Sequence, residues 1–284
     1  AVAIGDVRDG GDRLENLEKM INAVEETQKR GLNRAEHRLH LRCELPHHTT
    51  LPLFEKLVDR EPVSLVSLMD HSPGQRQFAN IEKYREYYQG KYSLNDVEMA
   101  RYEEEQLALA ARWSQPNRLS IAAMCQERNI ALASHDDATP DHVLESHQLG
   151  SVIAEFPTTF AAAEASRKHG MNVLMGAPNI VRGGSHSGNV AASKLAALGL
   201  LDILSSDYYP ASLLDAAFRV ADDEGNGFTL PQAISLVTKN PASALGLQDR
   251  GEIAEGKRAD LVLAHRKGEH IHIDHVWRQG KRVF

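Results

Sequence analysis

The sequence predicts an α/β fold: a (β/α)8, TIM-like barrel that starts one βα unit late and ends in a small antiparallel β appendage. Three observations predict it. Seven short apolar runs carry strand character, helical patterns separate them, and the chain opens inside one of the runs. Strands alternating with helices form a parallel sheet, because parallel neighbours need a crossover and the crossover helices cover the faces.

The first run, AVAIG at 1–5, reads as the end of a buried strand, and RLENLEKMINAVEETQKR after it has apolar residues at helical spacing. The second and third strands are expected at 37–45 (HRLHLRCEL) and 63–70 (VSLVSLMD). A long connection follows, from about 72 to 129, containing the acidic, Tyr-rich YREYYQGKYSLNDVEMARYEEEQLALAARW. A solvated helical insertion is the plain expectation for it, and a lid over a site is the sharper one. The remaining strands are expected at 130–134 (IALAS), 151–156 (SVIAEF), 172–176 (NVLMG) and 202–206 (DILSS), with helical TTFAAAEASRKHG and NVAASKLAALG among the connections. The tail alternates with period two between Gly-containing turns, which predicts antiparallel strands. The expected division is 1–246 for the barrel and 247–284 for the appendage. An opening without Met or a polar lead-in predicts that one βα unit is missing. A barrel lacking a strand has two unpaired edges, so the segment alone is expected to be inactive and prone to aggregate.

Composition narrows the function. The chain has 284 residues, 25% charged, with a formal net charge of -7, which argues against nucleic acid as the main partner. Two cysteines, Cys43 and Cys125, are too few for a disulfide framework and suit the cytoplasm. No apolar run approaches membrane-spanning length. A small-molecule substrate is expected, and homo-oligomerisation is left open.

Barrel chemistry belongs at the C-terminal ends of the strands. Period two places His40, Arg42 and Glu44 on one face of the second strand; Leu65, Ser67, Met69 and His71 align on the third. On the fourth, Ala131, Ala133 and His135 align, and on the last Ile203, Ser205 and Asp207. Four strands thus each end in one metal-binding side chain: Glu44, His71, His135 and Asp207. A single strand-end His is an ordinary satisfied polar group, but a mixture of nitrogen and oxygen donors on one face is what borderline divalent metals take. The other histidines are weaker candidates. His142 and His147 are five apart on a helix and diverge; His270 and His272 alternate with Ile271 and Ile273 and read as the solvent face of an edge strand.

GAPNIVRGGSHSGNVAASKLAAL carries a further site. A helix is expected from about Asn189 with Ser187 as its cap, and Gly183 and Gly184 would let backbone approach a ligand. With Arg182, Ser185 and His186 as donors, the stretch reads as a phosphate cradle at a helix N-terminus, against the alternative of a tight turn with a helix cap. It has no Gly-Lys-Ser/Thr, so it is not a P-loop. GSHSG has His where a nucleophile elbow has Ser.

On CELPHH, LMDHSPGQRQF, ASHDDAT, GAPNIVRGGSHSGN and SSDYYP, and on the tail GEIAEGKRADLVL…HVWRQGKRV, the chain resembles the amidohydrolase superfamily. Within it, the likeness is to the branch serving phosphonate metabolism by the carbon–phosphorus lyase route. The resemblance implies a metal-dependent hydrolase on a (β/α)8 barrel with a small β-sandwich appendage, to which 247–284 would belong, using one or two divalent ions, Zn2+ first. It implies pyrophosphate release from a ribose phosphonate 5-triphosphate. It puts Glu44 at the bridging-carboxylate position, His71 and His135 as strand-end ligands, and Asp207 as both ligand and general base. Arg182, Gly183, Gly184, Ser185, His186, Asp136, Asp137 and His48 would bind substrate. The alternatives are an amide or cyclic-amide hydrolase of the dihydroorotase or D-aminoacylase kind, and a non-catalytic docking subunit. The superfamily's first-strand H-x-H has no counterpart here; the only H-x-H, His270 and His272, lies in the tail.

Overall fold

The computed structural model describes residues 1–5, 12–185, 188–268 and 270–284. Its main element is a seven-stranded all-parallel sheet in simple sequence order, β1 (Val2–Ile4), β2 (Leu39–Glu44), β3 (Val63–Met69), β4 (Ala131–His135), β5 (Ile153–Glu155), β6 (Asn172–Gly176) and β7 (Ile203–Ser205). Each of the seven expected strands forms, within two or three residues of its expected bounds. Apolar runs of this length bounded by turns are what a sheet buried on both faces demands.

The two faces separate as the alternation predicts. Leu39, Leu41 and Cys43 of β2 join Ile4, Val66, Leu68 and Leu132 in one core under the helices α1 (Asp12–Lys29), α2 (Thr50–Leu57) and α4 (Asp96–Glu127), the last contributing Ile121 and Cys125. On the concave side Leu65, Ala133, Ile153, Leu174 and Ile203 pack together, closed from below by Ala244 and Leu245 at the end of α11 (Lys239–Ala244). Burying such side chains contributes roughly 1.5–3 kcal/mol each.

The connection between β3 and β4 is more than an insertion. A 3-10 turn, Arg76–Phe78, leads into α3 (Ile81–Tyr92) and then the 32-residue α4. Asn80 caps α3, and Asn95 with Glu98 forms a capping box that starts α4. The second half of α4 covers the sheet. Its first half packs Met99 and Tyr102 against Phe78 and Tyr84 in a separate aromatic cluster.

The other connecting helices are short. Thr139 caps α5 (Pro140–Gln148) and Thr159 caps α6 (Phe160–Lys168), each through its hydroxyl. After β6 come α7 (Ala177–Arg182) and α8 (Ala192–Ala197), and after β7 come α9 (Ser212–Asp222) and α10 (Leu230–Ser235). The tail forms an antiparallel sheet of β8 (Leu261–Lys267), β9 (His270–Arg278) and β10 (Lys281–Arg282), in the order β10-β9-β8. His270 and His272 are exposed, as expected, but β9 is the central strand and not an edge. Among the described residues no helix is long and apolar enough to cross a membrane. Cys43 and Cys125 are both free and buried.

Candidate metal centre

At the C-terminal ends of β3 and β4, His71, His135 and Asp136 bring their ligand atoms within 4.8 Å of one another. His71 Nε2 is 3.8 Å from Asp136 Oδ2, and His135 Nε2 is 3.3 Å from the same oxygen. The opposite nitrogen of each ring is held by a carboxylate: Glu44 Oε2 at 2.6 Å from His71 Nδ1, and Glu155 Oε2 at 2.7 Å from His135 Nδ1. A neutral imidazole that donates from Nδ1 to a carboxylate keeps its Nε2 lone pair for another partner. Both rings therefore present Nε2 toward Asp136, the donor set and outer carboxylates that a divalent cation takes.

Neighbouring charges set the tautomer and charge of the two rings. Arg42 places a guanidinium nitrogen 2.9 Å from His135 Nε2. Arginine only donates, so Nε2 is the acceptor there and the proton sits on Nδ1, facing Glu155. A guanidinium and an ion cannot share that lone pair. Glu155 also accepts from Ser67 Oγ at 2.8 Å, and Ser67 is 2.5 Å from His40 Nε2. Burial alone would raise the Glu155 carboxyl, but His135, His40 and Arg42 outweigh it and hold it at about 2. His40 is pushed down to about 4, chiefly by burial, so it is neutral. Burial would also lower His71, yet Glu44 and Asp136 outweigh it and raise the ring well above its ordinary value, so without an ion it carries a second proton, on Nε2 toward Asp136, which a bound cation would displace. Three carboxylates, Glu44, Asp136 and Glu155, face the Arg42 guanidinium and the protonated His71 ring, which leaves an excess of negative charge that a cation would relieve.

Asp136 is reached by a backbone no sequence pattern announces. Its φ is 57°, in the left-handed region, and Phe156 and Asp207, just beyond β5 and β7, have φ of 58° and 48°. Non-glycine residues there are uncommon, costing of order 1–3 kcal/mol, and cluster at working sites. Asp136 N–H still bonds to Glu155 O at 2.9 Å, so the turn is anchored to the next strand.

The other expected site residues take varied places. Glu44 stands behind His71 as a hydrogen-bond partner, outside the three-residue group. Asp207 is exposed and also outside that group, though it borders the same cavity. It lies close to Gly176, where a Cβ would stand a tight 3.3 Å from Asp207 Oδ2. Asp137 does not face the site: it is 1% exposed and ion-paired with the equally buried Arg76. The glycine-rich stretch is built differently from its reading. APNIVR is itself a helix, α7, ended by Gly183 at φ 81°. The Gly183 and Gly184 N–H groups bond to Ile180 O and Asn179 O, so they are spent on the helix end and not on an anion. The following helix begins at Ala192 with Ala191 as its cap, not near Asn189; Ser187 and His186 lie outside the described residues.

Two cavities meet at this centre. One of about 270 Å3 is lined by His71, His135, Asp136, Arg182, Gly184, Ser185 and Asp207. Arg182 there donates to Tyr208 Oη at 2.9 Å. The other, about 910 Å3, lies between β2, β3 and α3 and includes His48, which is exposed. Glu155 and Arg42 are the residues the sequence reading missed as site members. Period two was the signal available, since Glu155 shares a face with Ile153, and Arg42 with Glu44.

Comparison with known proteins places the chain in a family. The family model described as amidohydrolase family matches residues 128–284. The alpha-D-ribose 1-methylphosphonate 5-triphosphate diphosphatase of Escherichia coli (strain K12) is 89% identical over all 284 residues, which span 75% of that relative. An adenine deaminase of Ligilactobacillus salivarius (strain UCC118) is 41% identical over 76 residues, 26% of this chain and 13% of that one. A crystal structure of guanine deaminase from C. acetobutylicum overlays 93% of this chain and 76% of its own at 11% identity and a TM-score of 0.43, too loose to bear on chemistry. By the family match and the full-length identity together, the chain belongs to the amidohydrolase family.

Proposed function

We propose that this chain is a metal-dependent diphosphatase that hydrolyses a ribose 1-methylphosphonate 5-triphosphate, releasing pyrophosphate and leaving the 5-phosphate. The observation that carries the reading is the 89% identity, along the whole chain, to a relative of that name. His71 and His135 through Nε2, with Asp136, would hold a divalent cation, Zn2+ being the natural choice for two imidazoles and a carboxylate. When bound, such an ion polarises a phosphoryl oxygen and brings the pKa of water to about 7. Glu44 and Glu155 fix the two rings. Asp207, at the rim, takes the proton of the attacking water. Arg42 turns from His135 to the phosphate chain, and Arg182 meets its outer end, two cations suited to a polyanion. That pair favours a phosphate anhydride over the amide substrates of the alternative reading. The division into a barrel to 246 and an appendage from 247, and a cytoplasmic location suited to two free thiols, belong to the same proposal.

The experiment is turnover with metal analysis. Wild-type protein is expected to release pyrophosphate from the triphosphate. His135→Ala is expected to lose bound metal and about 10³-fold or more in turnover. Full metal occupancy with normal kinetics in the variant would sink the assignment.

A further inference from the structure

The larger cavity opens beside the smaller one, and its walls are chemically distinct. It shares Arg42, His71, Gln77 and Asn189 with the smaller one. A molecule occupying both therefore crosses directly over His71. Its far wall is α3, which presents Lys83, Tyr87 and Lys91 at intervals of four, one stripe of a helix. Lys91 Nζ lies 5.1 Å from the Tyr92 ring centre and 5.9 and 6.0 Å from those of Tyr88 and Tyr87, an ammonium lodged among aromatic rings. Lys83 Nζ lies 3.8 Å from where a Cβ on Gly188 would stand, so α3 meets the glycine-rich stretch across the cavity. Of the acids on these walls, Glu44 is engaged by His71, leaving Glu86 against the two lysines and Arg42.

We propose that the Lys83–Tyr87–Lys91 stripe is a second anion subsite, taking the non-reacting anionic end of a two-ended sugar substrate. Its ligand is a phosphonate or phosphate ester on the ribose carbon remote from the triphosphate. The inference rests on the diphosphatase reading for the identity of the other end. Two ammonium groups carry donors and no acceptors of their own, as an ester oxyanion requires, and the tyrosine rings present apolar faces to the sugar. The stripe thereby sets specificity: it selects substrates with a charge at both ends.

The test is calorimetric binding of two ligands that carry no leaving pyrophosphate, ribose 1-methylphosphonate 5-phosphate and ribose 5-phosphate. Wild type is expected to bind the first more tightly. The double variant Lys83→Ala, Lys91→Ala is expected to lose roughly tenfold or more for the first and nothing for the second. A Lys83→Gln, Lys91→Gln pair serves if the alanine variant melts early. Equal losses on both ligands, no loss on either, or no preference in wild type would overturn the proposal. Pyrophosphate release from the triphosphate is measured separately. If wild type releases none while the binding difference holds, the diphosphatase reading falls and the subsite stands.

Discussion

Glu155 is the side chain on which the geometry of the centre depends. It is 6% exposed, it fixes the His135 ring, and it takes a second hydrogen bond from Ser67. Glu155→Gln keeps the size of the side chain but turns a charged acceptor into an amide that can present either its oxygen or its donor face to Nδ1. Metal affinity is expected to fall by about 10–100-fold, as for other outer partners of ligating histidines, with the melting temperature little changed. Competition with a chromophoric chelator measures it, and unaltered affinity would count against the orienting role. His71 and His135 were legible in the sequence because each ends an apolar run and period two sets its face. Asp136 as a third member of the group was not, because a left-handed φ brings it round, and no residue pattern encodes that conformation for an aspartate. Glu155 stood where the same period-two argument would have found it, inside a run read only as strand.

Element by element, α4 is held by charge as well as by packing. Arg118 is buried and reaches Asp70 Oδ2 at 3.2 Å and Glu145, while Arg76 reaches Glu145 Oε2 at 3.0 Å and pairs with Asp137. Burial, and then the neighbouring Arg118, pushes the Arg76 guanidinium down to about 10. Arg118→Ala leaves Asp70 buried without its counter-charge, and about 3–5 kcal/mol of stability is expected to be lost in denaturant unfolding. Arg85→Ala removes a pair with Glu103 in which the guanidinium is half in solvent, and it is expected to leave the unfolding midpoint almost unchanged. Similar losses from the two would refute the distinction. The strands were legible at this scale because a fully covered parallel sheet needs unbroken apolar runs. Helix α7 was not read from APNIVRGG, although Pro near its start and Gly just past its end are the ordinary signature of a short helix. The glycines drew the reading to the loop.

For the molecule as a whole, the centre joins β2, β3, β4 and β5 through one set of contacts, so ion binding and folding are linked. Anything bound only by the folded state raises its stability by RT ln(1 + [L]/Kd), about 2.7 kcal/mol at a hundredfold excess over Kd. Chelation is expected to lower the melting temperature of metal-loaded protein by several degrees, and re-addition of Zn2+ to restore it. His135→Ala should show neither change. An identical response in the variant would place the stabilising ion elsewhere.

The two thiols give that same molecule a built-in clock. Cys43 lies on β2 and Cys125 on α4, in one core, 0% and 1% exposed. Burial pushes the Cys125 thiol up to about 12, and burial with the nearby Cys125 raises Cys43 well above the ordinary range. A thiol-specific reagent needs both access and thiolate, so neither position can react while the helix lies on the sheet. Alkylation in native buffer then times the spontaneous lifting of α4 from β2. Matching rates at both cysteines, equal to that of global unfolding, are expected if the half-barrel opens as one cooperative unit. Faster labelling at Cys125 alone would reveal that α4 peels away first.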